Sequence, residues 1–254
     1  HGKEIENQDV TWRVTGNKNA GTTINSSGVL SVNINETIGT VLTIYAMSAE
    51  QQGLERSINI TVAPMYEYED LPNMPVGTTA YATIDGIEWY LLAKDGNKAL
   101  LWSKNSIGGN ITFGSTSVWK DSTIRTYLNG DFINGLTLLK DKAASTALTT
   151  RTQYTASTWD TTNDKVFFLS EADLFGTNNG TSTSDPKDYT IGNNVLVPDI
   201  EMRKFKGASY AWLRSPANIV NPGVAIVWSS GAAGSTMPTH TQISMRPALW
   251  VEMP

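Results

Sequence analysis

Residues able to do chemistry are few and scattered in this chain. Cysteine is absent, and only two histidines occur, His1 and His240. The first belongs to His1-Gly2, which reads as an appended remnant. Thiol nucleophiles, disulfides and Cys-based zinc sites are excluded, and a His-dependent triad or His-rich metal site would rest on His240 alone. Asp164, Glu171 and Asp173 lie close in sequence and raise the question of an acid/base pair. Their places, at the end of a strand pattern and the start of a helix pattern, favour strand-end solvation and helix capping instead. No glycine-rich phosphate loop, GxSxG or HExxH occurs. The expected protein is not an enzyme and carries no cofactor. Asp-rich loops such as TSDPKD, ending at Asp188, could supply oxygens to a structural calcium ion.

In place of reactive groups the chain offers a neutral interval. From Ser215 to Met245 there is no Asp, Glu, Lys or Arg, while WLRSP at 212–216 and MRPALW at 245–250 set an arginine near proline at either end. A guanidinium has five donors, so buried Arg214 and Arg246 could tie loop carbonyls together where regular ladders are absent. Trp212, Leu249 and Trp250 are apolar anchors beside them. Small, uncharged side chains between the anchors suit recognition by shape and neutral hydrogen bonds. Within the interval, Val224 to Val227 reads as a buried strand and GAAGSTMPTHTQ as a surface loop. Trp228 alternates with Val224 and Ile226, so it is core if that face turns inward and a contact hot spot if outward.

The elements that must position these residues follow from composition and periodicity. The chain has 254 residues, enough for one large or two modest domains, and only 17% are charged. Gly, Ser, Thr and Asn abound, which suits strands and loops better than helical bundles. Net charge is -5 with no basic cluster, which removes nucleic acid as a partner, and no apolar run reaches membrane-span length. The first 64 residues alternate in short runs, as in a β-sandwich, with Gly28 in a tight turn of positive φ. APMYEYEDLPNMPV at 63–76 has three prolines and no period, so 65–76 reads as a linker or an extended segment. Beyond it, IEWYLLA and KALLWS flank an Asp95-Gly96-Asn97 turn as a hairpin. Ser122 caps an expected helix at about 122–133, and VFFLS reads as a buried strand running into a helical turn.

Two stretches carry resemblances. VTW at 10–12, GTTINSSGVLSV and a closing INITV at 58–62 resemble a bacterial immunoglobulin-like domain of group 2. The resemblance implies an all-β sandwich over 1–64, truncated at its N-terminus and left with an unpaired edge. STIRTYLNGDF at 122–132, DKVFFLS at 164–170, WLRSP and MRPALW are similar to a group of bacterial surface domains of the C-type lectin fold, in its formylglycine-generating-enzyme-like branch. That likeness spans 77–254 and implies an α+β module, related to the variable proteins of diversity-generating retroelements.

What the second resemblance implies is a ligand surface on Asn218, Ile219, Val220, Asn221, Trp228, Ser230, Ala232, Thr236, Thr239, His240 and Thr241, framed by Trp212, Arg214, Arg246 and Trp250. Adenine-directed change of Asn codons does not reach Trp228, Met237 or Gln242, which are then either framework or evidence against that relation. The enzymes of that branch use active-site cysteines, absent here, and the sugar-binding triplets Glu-Pro-Asn and Trp-Asn-Asp are missing too. The implied function is non-catalytic, hypervariable recognition of a protein or glycan on a cell surface, by a protein displayed outside a bacterium or on a phage virion, without insertion into a membrane. The alternative is a structural or adhesive module with no dedicated variable site.

Overall fold

The computed structural model describes residues 10–33, 35–49, 53–63, 65–109, 111–154, 158–176, 188–217 and 223–254. The chain divides into two compact units, His1–Pro64 and Met65–Pro254.

The first unit is built from β1 (Val10–Thr15), β2 (Thr23–Ile24), β3 (Leu30–Ser31), β4 (Val41–Ser48) and β5 (Glu55–Thr61). β1, β4 and β5 form an antiparallel sheet in that order, and β2 pairs with β3 in a separate small hairpin. Register puts Ile44 between Val14 and Ile58, and alternation buries Leu42 and Ile44. Gly28 takes φ +80°, and a β-carbon there would lie 2.8 Å from the Trp12 ring, so the turn and the indole both require glycine. Glu36 ties the preceding loop by accepting from the Thr22 hydroxyl and from the Lys18 and Asn19 amides. Those hydrogen bonds, Thr22 first, hold its carboxyl below the ordinary value. Every residue of β5 is exposed, including Ile58 and Ile60.

The second unit begins with the segment read from sequence as a linker, and that reading is corrected. Tyr66 bridges to Ala82, while Tyr68, Leu71 and Met74 are buried in the core. The Tyr68 hydroxyl donates to Glu252 O at 2.6 Å, and Lys94 Nζ donates to the Pro72 and Met74 carbonyls. The apolar residues fall three apart on and after a single 3-10 turn at Tyr68–Asp70, a period too short to stand out between prolines.

Its main sheet joins β6 (Tyr81–Ile84), β7 (Ile87–Asp95), β8 (Lys98–Ser103), β9 (Ala143–Ala144), β12 (Phe167–Phe168) and β16 (Pro247–Glu252). The order is β12-β16-β8-β7-β6, with β9 also on β16, so the last strand of the chain lies inside the sheet. The β7–β8 hairpin turns through Gly96 at φ 56°, where Asp-Gly-Asn predicts it. Ser122 Oγ caps α1 (Thr123–Tyr127) by accepting from Arg125 N. The helix continues through a π-helical turn at Leu128–Phe132 into α2 (Ile133–Gly135), so it runs slightly past the predicted end. The Asp85 carboxylate accepts from Leu138 N and Leu139 N at the start of α3 (Leu139–Lys142). β10 (Thr146–Arg151) pairs with β11 (Trp159–Asp164), and α4 (Glu171–Phe175) and α5 (Ile200–Arg203) precede a sheet of β13 (Tyr210–Ala217), β14 (Gly223–Trp228) and β15 (Ala233–Thr236). Trp89, Trp102, Trp119, Trp212, Phe113, Phe167 and Phe168 fill one contiguous core. Several sheets with few, short helices make this a mixed arrangement compatible with α+β.

Candidate recognition surface

Two fully buried guanidiniums hold the scaffold. Arg214 Nη1 donates to Phe168 O at 2.9 Å, Asp173 Oδ2 at 3.0 Å and Thr190 Oγ1 at 3.1 Å, and its Nη2 donates to Asp188 O at 2.7 Å. Asp173 also accepts from Ser170 N, Thr190 N and the Thr190 hydroxyl, so its charge is neutralised within a cage of donors. Arg246 is held differently. Its Nε donates to Ser103 O, Nη1 to Arg203 O, and Nη2 to Lys104 O and Met202 O, all within 3.2 Å. The Arg246 Cζ sits 3.5 Å from the Trp102 ring centroid. Burial pulls its pKa down to about 9.

The acidic trio is buried, which corrects the expectation of solvation. Asp164 accepts from Trp119 Nε1, Arg125 Nε and the Thr162 hydroxyl. Asp173 closes a capping box with Ser170, as the capping expectation has it. Glu171 is 4% exposed, and burial with the nearby Asp188 charge pushes its carboxyl up to about 8. An Asp164–Glu171–Asp173 acid/base pair is disfavoured because two of the three are committed to cations and backbone amides.

Above the clamps the neutral interval divides. Val224, Ala225, Ile226 and Val227 are all within 4% exposure, whereas Trp228, the last residue of the same strand, is 44% exposed. The Trp228 ring meets Tyr210 edge-on at 4.8 Å, its direct partner across the sheet, and its Nε1 occupies the place a Gly234 β-carbon would need. The turn that follows is closed by Trp228 N to Ala232 O and by Gly231, at φ +85°, tight against Ile200 and Arg203. After β15 the chain crosses back, with Pro238 O accepting from Phe113 N and Ile243 O from Ile111 N, and Ser244 lies beside β13.

The structure therefore places the expected contact residues as follows. Trp228, Ser230, Ala232, Thr239 and Thr241 are exposed, and Thr236 and His240 are half-buried. His240 Nδ1 accepts from Gln242 N. Asn218, Ile219, Val220 and Asn221 lie outside the described residues, as does most of the TSDPKD segment. Trp212, Arg214, Arg246 and Trp250 are buried. GAAGSTMPTHTQ is not all loop, because Ala233–Thr236 pairs with β14. Trp228 shares a face with buried Val224 and Ile226 yet emerges at its rim, so neither alternative posed for it holds alone.

Sequence reasoning missed Tyr210 and Gly234. The available signals were Tyr210 two residues before Trp212 in a strand, and a glycine within a segment that can pair, which marks close approach. Among the described residues no group of three or more His, Cys, Asp or Glu could hold a metal ion. A cleft of about 460 Å³ opens elsewhere in this unit, lined by Asp95, Lys98, Ser145, Thr190 and Trp250 among others. Its one carboxylate is at an exposed hairpin tip, and the Lys94 ammonium that reaches it is engaged by two carbonyls.

Fold and surface together define a class by geometry: a mixed α and β scaffold that holds a neutral, partly exposed rim on two buried arginines. The family described as Domain of unknown function (DUF6273) matches residues 95–253, more than half of the chain, and the chain belongs to that family. The match starts at the β7–β8 turn and takes in both clamps and the whole rim. No curated protein and no solved structure matches the chain. No described helix is long and apolar enough to cross a membrane.

Proposed function

We propose that Met65–Pro254 is a C-type lectin-like recognition module, preceded by an immunoglobulin-like domain, in a protein displayed on a bacterial surface or a phage virion. It binds a protein or glycan ligand without chemical conversion, through Trp228, Ser230, Ala232, Thr236, Thr239, His240 and Thr241. One observation carries this reading: exposed, uncharged side chains are mounted directly on a core whose strands are buried on both faces and pinned by Arg214 and Arg246. Such a base accepts side-chain replacement at the rim without repacking beneath it. The interval between the arginines is then the part of the gene that varies.

The test has two arms. Gene copies sequenced from the source population should concentrate substitutions between Pro216 and Arg246, and substitutions spread evenly over the unit would overturn the hypervariable reading. In the full chain, Thr239→Glu together with Thr241→Glu should abolish attachment to a cell or glycan panel at unchanged melting temperature. The alternative, a structural module, predicts that the interval packs inward. Its strand half does so, while 239–241 is exposed or half-buried.

A further inference from the structure

The cleft of about 460 Å³ is floored by one face of the main sheet, and strand register fixes which side chains share that face. Trp250 lies opposite Leu100 on one side and Ala144 on the other, and Leu100 lies opposite Ala93. Ala144, Trp250, Leu100 and Ala93 therefore form one row across β9, β16, β8 and β7. Two residues along each strand, and so on the same face, the next row is Glu252, Lys98 and Asp95. Ser145, Thr146 and the 190–192 segment wall the opening, whose volume is that of a small-molecule site.

Three groups in this lining are unspent. The indole N–H groups of Trp89, Trp102, Trp119 and Trp212 donate to Ile84 O, Arg246 O, Asp164 Oδ2 and Ile111 O. Trp250 is only 8% exposed, yet its Nε1–H has no acceptor among the described residues. Six described side-chain atoms are unpaired and sealed from solvent; Trp250 Nε1 is not one of them, so its N–H opens where the ring lines the cleft. Lys98 and Asp95 face each other at the end of the hairpin, with no hydrogen bond or ion pair to each other or to any described residue. Glu252, on the far side of Lys98, is exposed and outside the lining. The remaining polar groups are engaged: the Thr190 hydroxyl donates to Asp173 and accepts from Arg214, Thr146 donates to Ala144 O, and Lys94 Nζ holds the Pro72 and Met74 carbonyls.

A fitting ligand brings an acceptor for the indole N–H, a negative charge for the Lys98 ammonium, and a positive charge for the Asp95 carboxylate one cross-strand spacing away, about 5 Å. Ala93, Ala144, Ile191 and the indole give it an apolar surface. A neutral sugar leaves both charges dehydrated without a counter-charge, and a plain carboxylate or a plain amine satisfies one and strands the other. We propose that this cleft binds a free α-amino acid with an aliphatic side chain. Its carboxylate lies on Lys98 and the Trp250 N–H, its ammonium on Asp95, and its side chain against Ala93, Ala144 and Ile191. The site is separate from the recognition surface and does not depend on it. Bound there, the amino acid joins the sheet to the 190–192 segment, which Asp173 and Arg214 anchor through Thr190, so occupancy stabilises the unit.

The experiment titrates the full chain with leucine, N-acetylleucine, leucinamide and glucose. It follows melting temperature and the Trp250 indole N–H resonance by NMR, the resonance being identified by its loss in Trp250→Phe. Leucine should shift that resonance and raise the melting temperature. N-acetylleucine, which lacks the ammonium, and leucinamide, which lacks the carboxylate, should each bind about tenfold or more weakly, and glucose should not bind. Lys98→Met and Asp95→Asn change side chains outside the core and should each weaken leucine about tenfold. Thr239→Glu with Thr241→Glu should leave leucine binding unchanged. The proposal is overturned if leucine at millimolar concentration leaves the resonance in place, if N-acetylleucine or leucinamide binds as well as leucine, or if Lys98→Met or Asp95→Asn binds leucine like the parent chain. Should Trp250→Phe fail to fold, the analogue series and the Lys98 and Asp95 variants decide through melting temperature.

Discussion

Arg214 and Arg246 stand at the two ends of one neutral interval, both fully buried, yet they are stabilised by different physics. Arg214 meets a carboxylate that is itself saturated with donors, so the pair is neutral as a unit. Arg246 has only carbonyl dipoles and aromatic faces, and no carboxylate is among its hydrogen-bond partners. Burial lowers the Arg246 pKa, and no carboxylate among its hydrogen-bond partners offsets that desolvation. The first clamp ties α4 and the 188–190 segment to β13, and the second ties the ends of β8 and α5 to the start of β16. Between the two staples lie a buried strand, Val224 to Val227, and the exposed Trp228 at its end.

The comparison breaks most severely at Asp173. Asp173→Ala strands Arg214 as a buried, unpaired cation and should cost about 3–5 kcal/mol, read as collapse of the chemical-denaturation midpoint. Asp173→Leu combined with Arg214→Met should recover much of that loss; a double variant no better than the single one would mean that geometry rather than charge is decisive. Next comes Arg246→Met, which leaves the Ser103, Lys104, Met202 and Arg203 carbonyls without their donor. It should cost roughly 2–4 kcal/mol, and Arg246→Lys should rescue little, because an ammonium cannot reproduce the fork or the ring contact.

A smaller effect sharpens the polarity around the first clamp. The Glu171 carboxyl, raised from 4.5 to about 8, binds a proton in the folded state that the unfolded chain releases. Its contribution to stability is therefore full below pH 4.5 and is lost as pH rises through about 8. Asp188, which Arg151 Nη2 approaches at 3.9 Å, is the acidic neighbour, and Asp173 and Arg214 pair beside it. Glu171→Gln should raise stability at pH 8–9 by roughly 1–2 kcal/mol and flatten its pH dependence, measured by urea unfolding across pH 5–9. An unchanged slope would show that Glu171 reaches water. The smallest effect belongs to the rim: Thr239→Ala should alter stability by less than about 0.5 kcal/mol, whereas Trp212→Ala, under the same sheet, should cost about 3–5 kcal/mol.

Much of this was legible locally. The Asp95-Gly96-Asn97 hairpin, the Ser122 cap, Gly28 at positive φ and the burial of Val224 to Val227 each depend on a short window, where turn chemistry and alternation act directly. The burial of Tyr68, Leu71 and Met74 was not legible, because one 3-10 turn among prolines has no recognisable period. The solvation expected of Asp164 and Glu171 failed for a related reason: which face of a strand end meets another layer is a long-range fact.

By itself the sequence determined the neutrality of the interval, the absence of cysteine chemistry, and an arginine near proline at each end. Side-chain type and spacing decide those properties whatever the chain does later. Only the tertiary structure decided which acceptors the arginines find, that one is paired and the other is not, and that Trp228 leaves its buried strand to rest on Gly234 beside Tyr210. Each of these contacts joins residues on different strands or distant loops, and their positions are set by the packing of the whole core rather than by any neighbour along the chain.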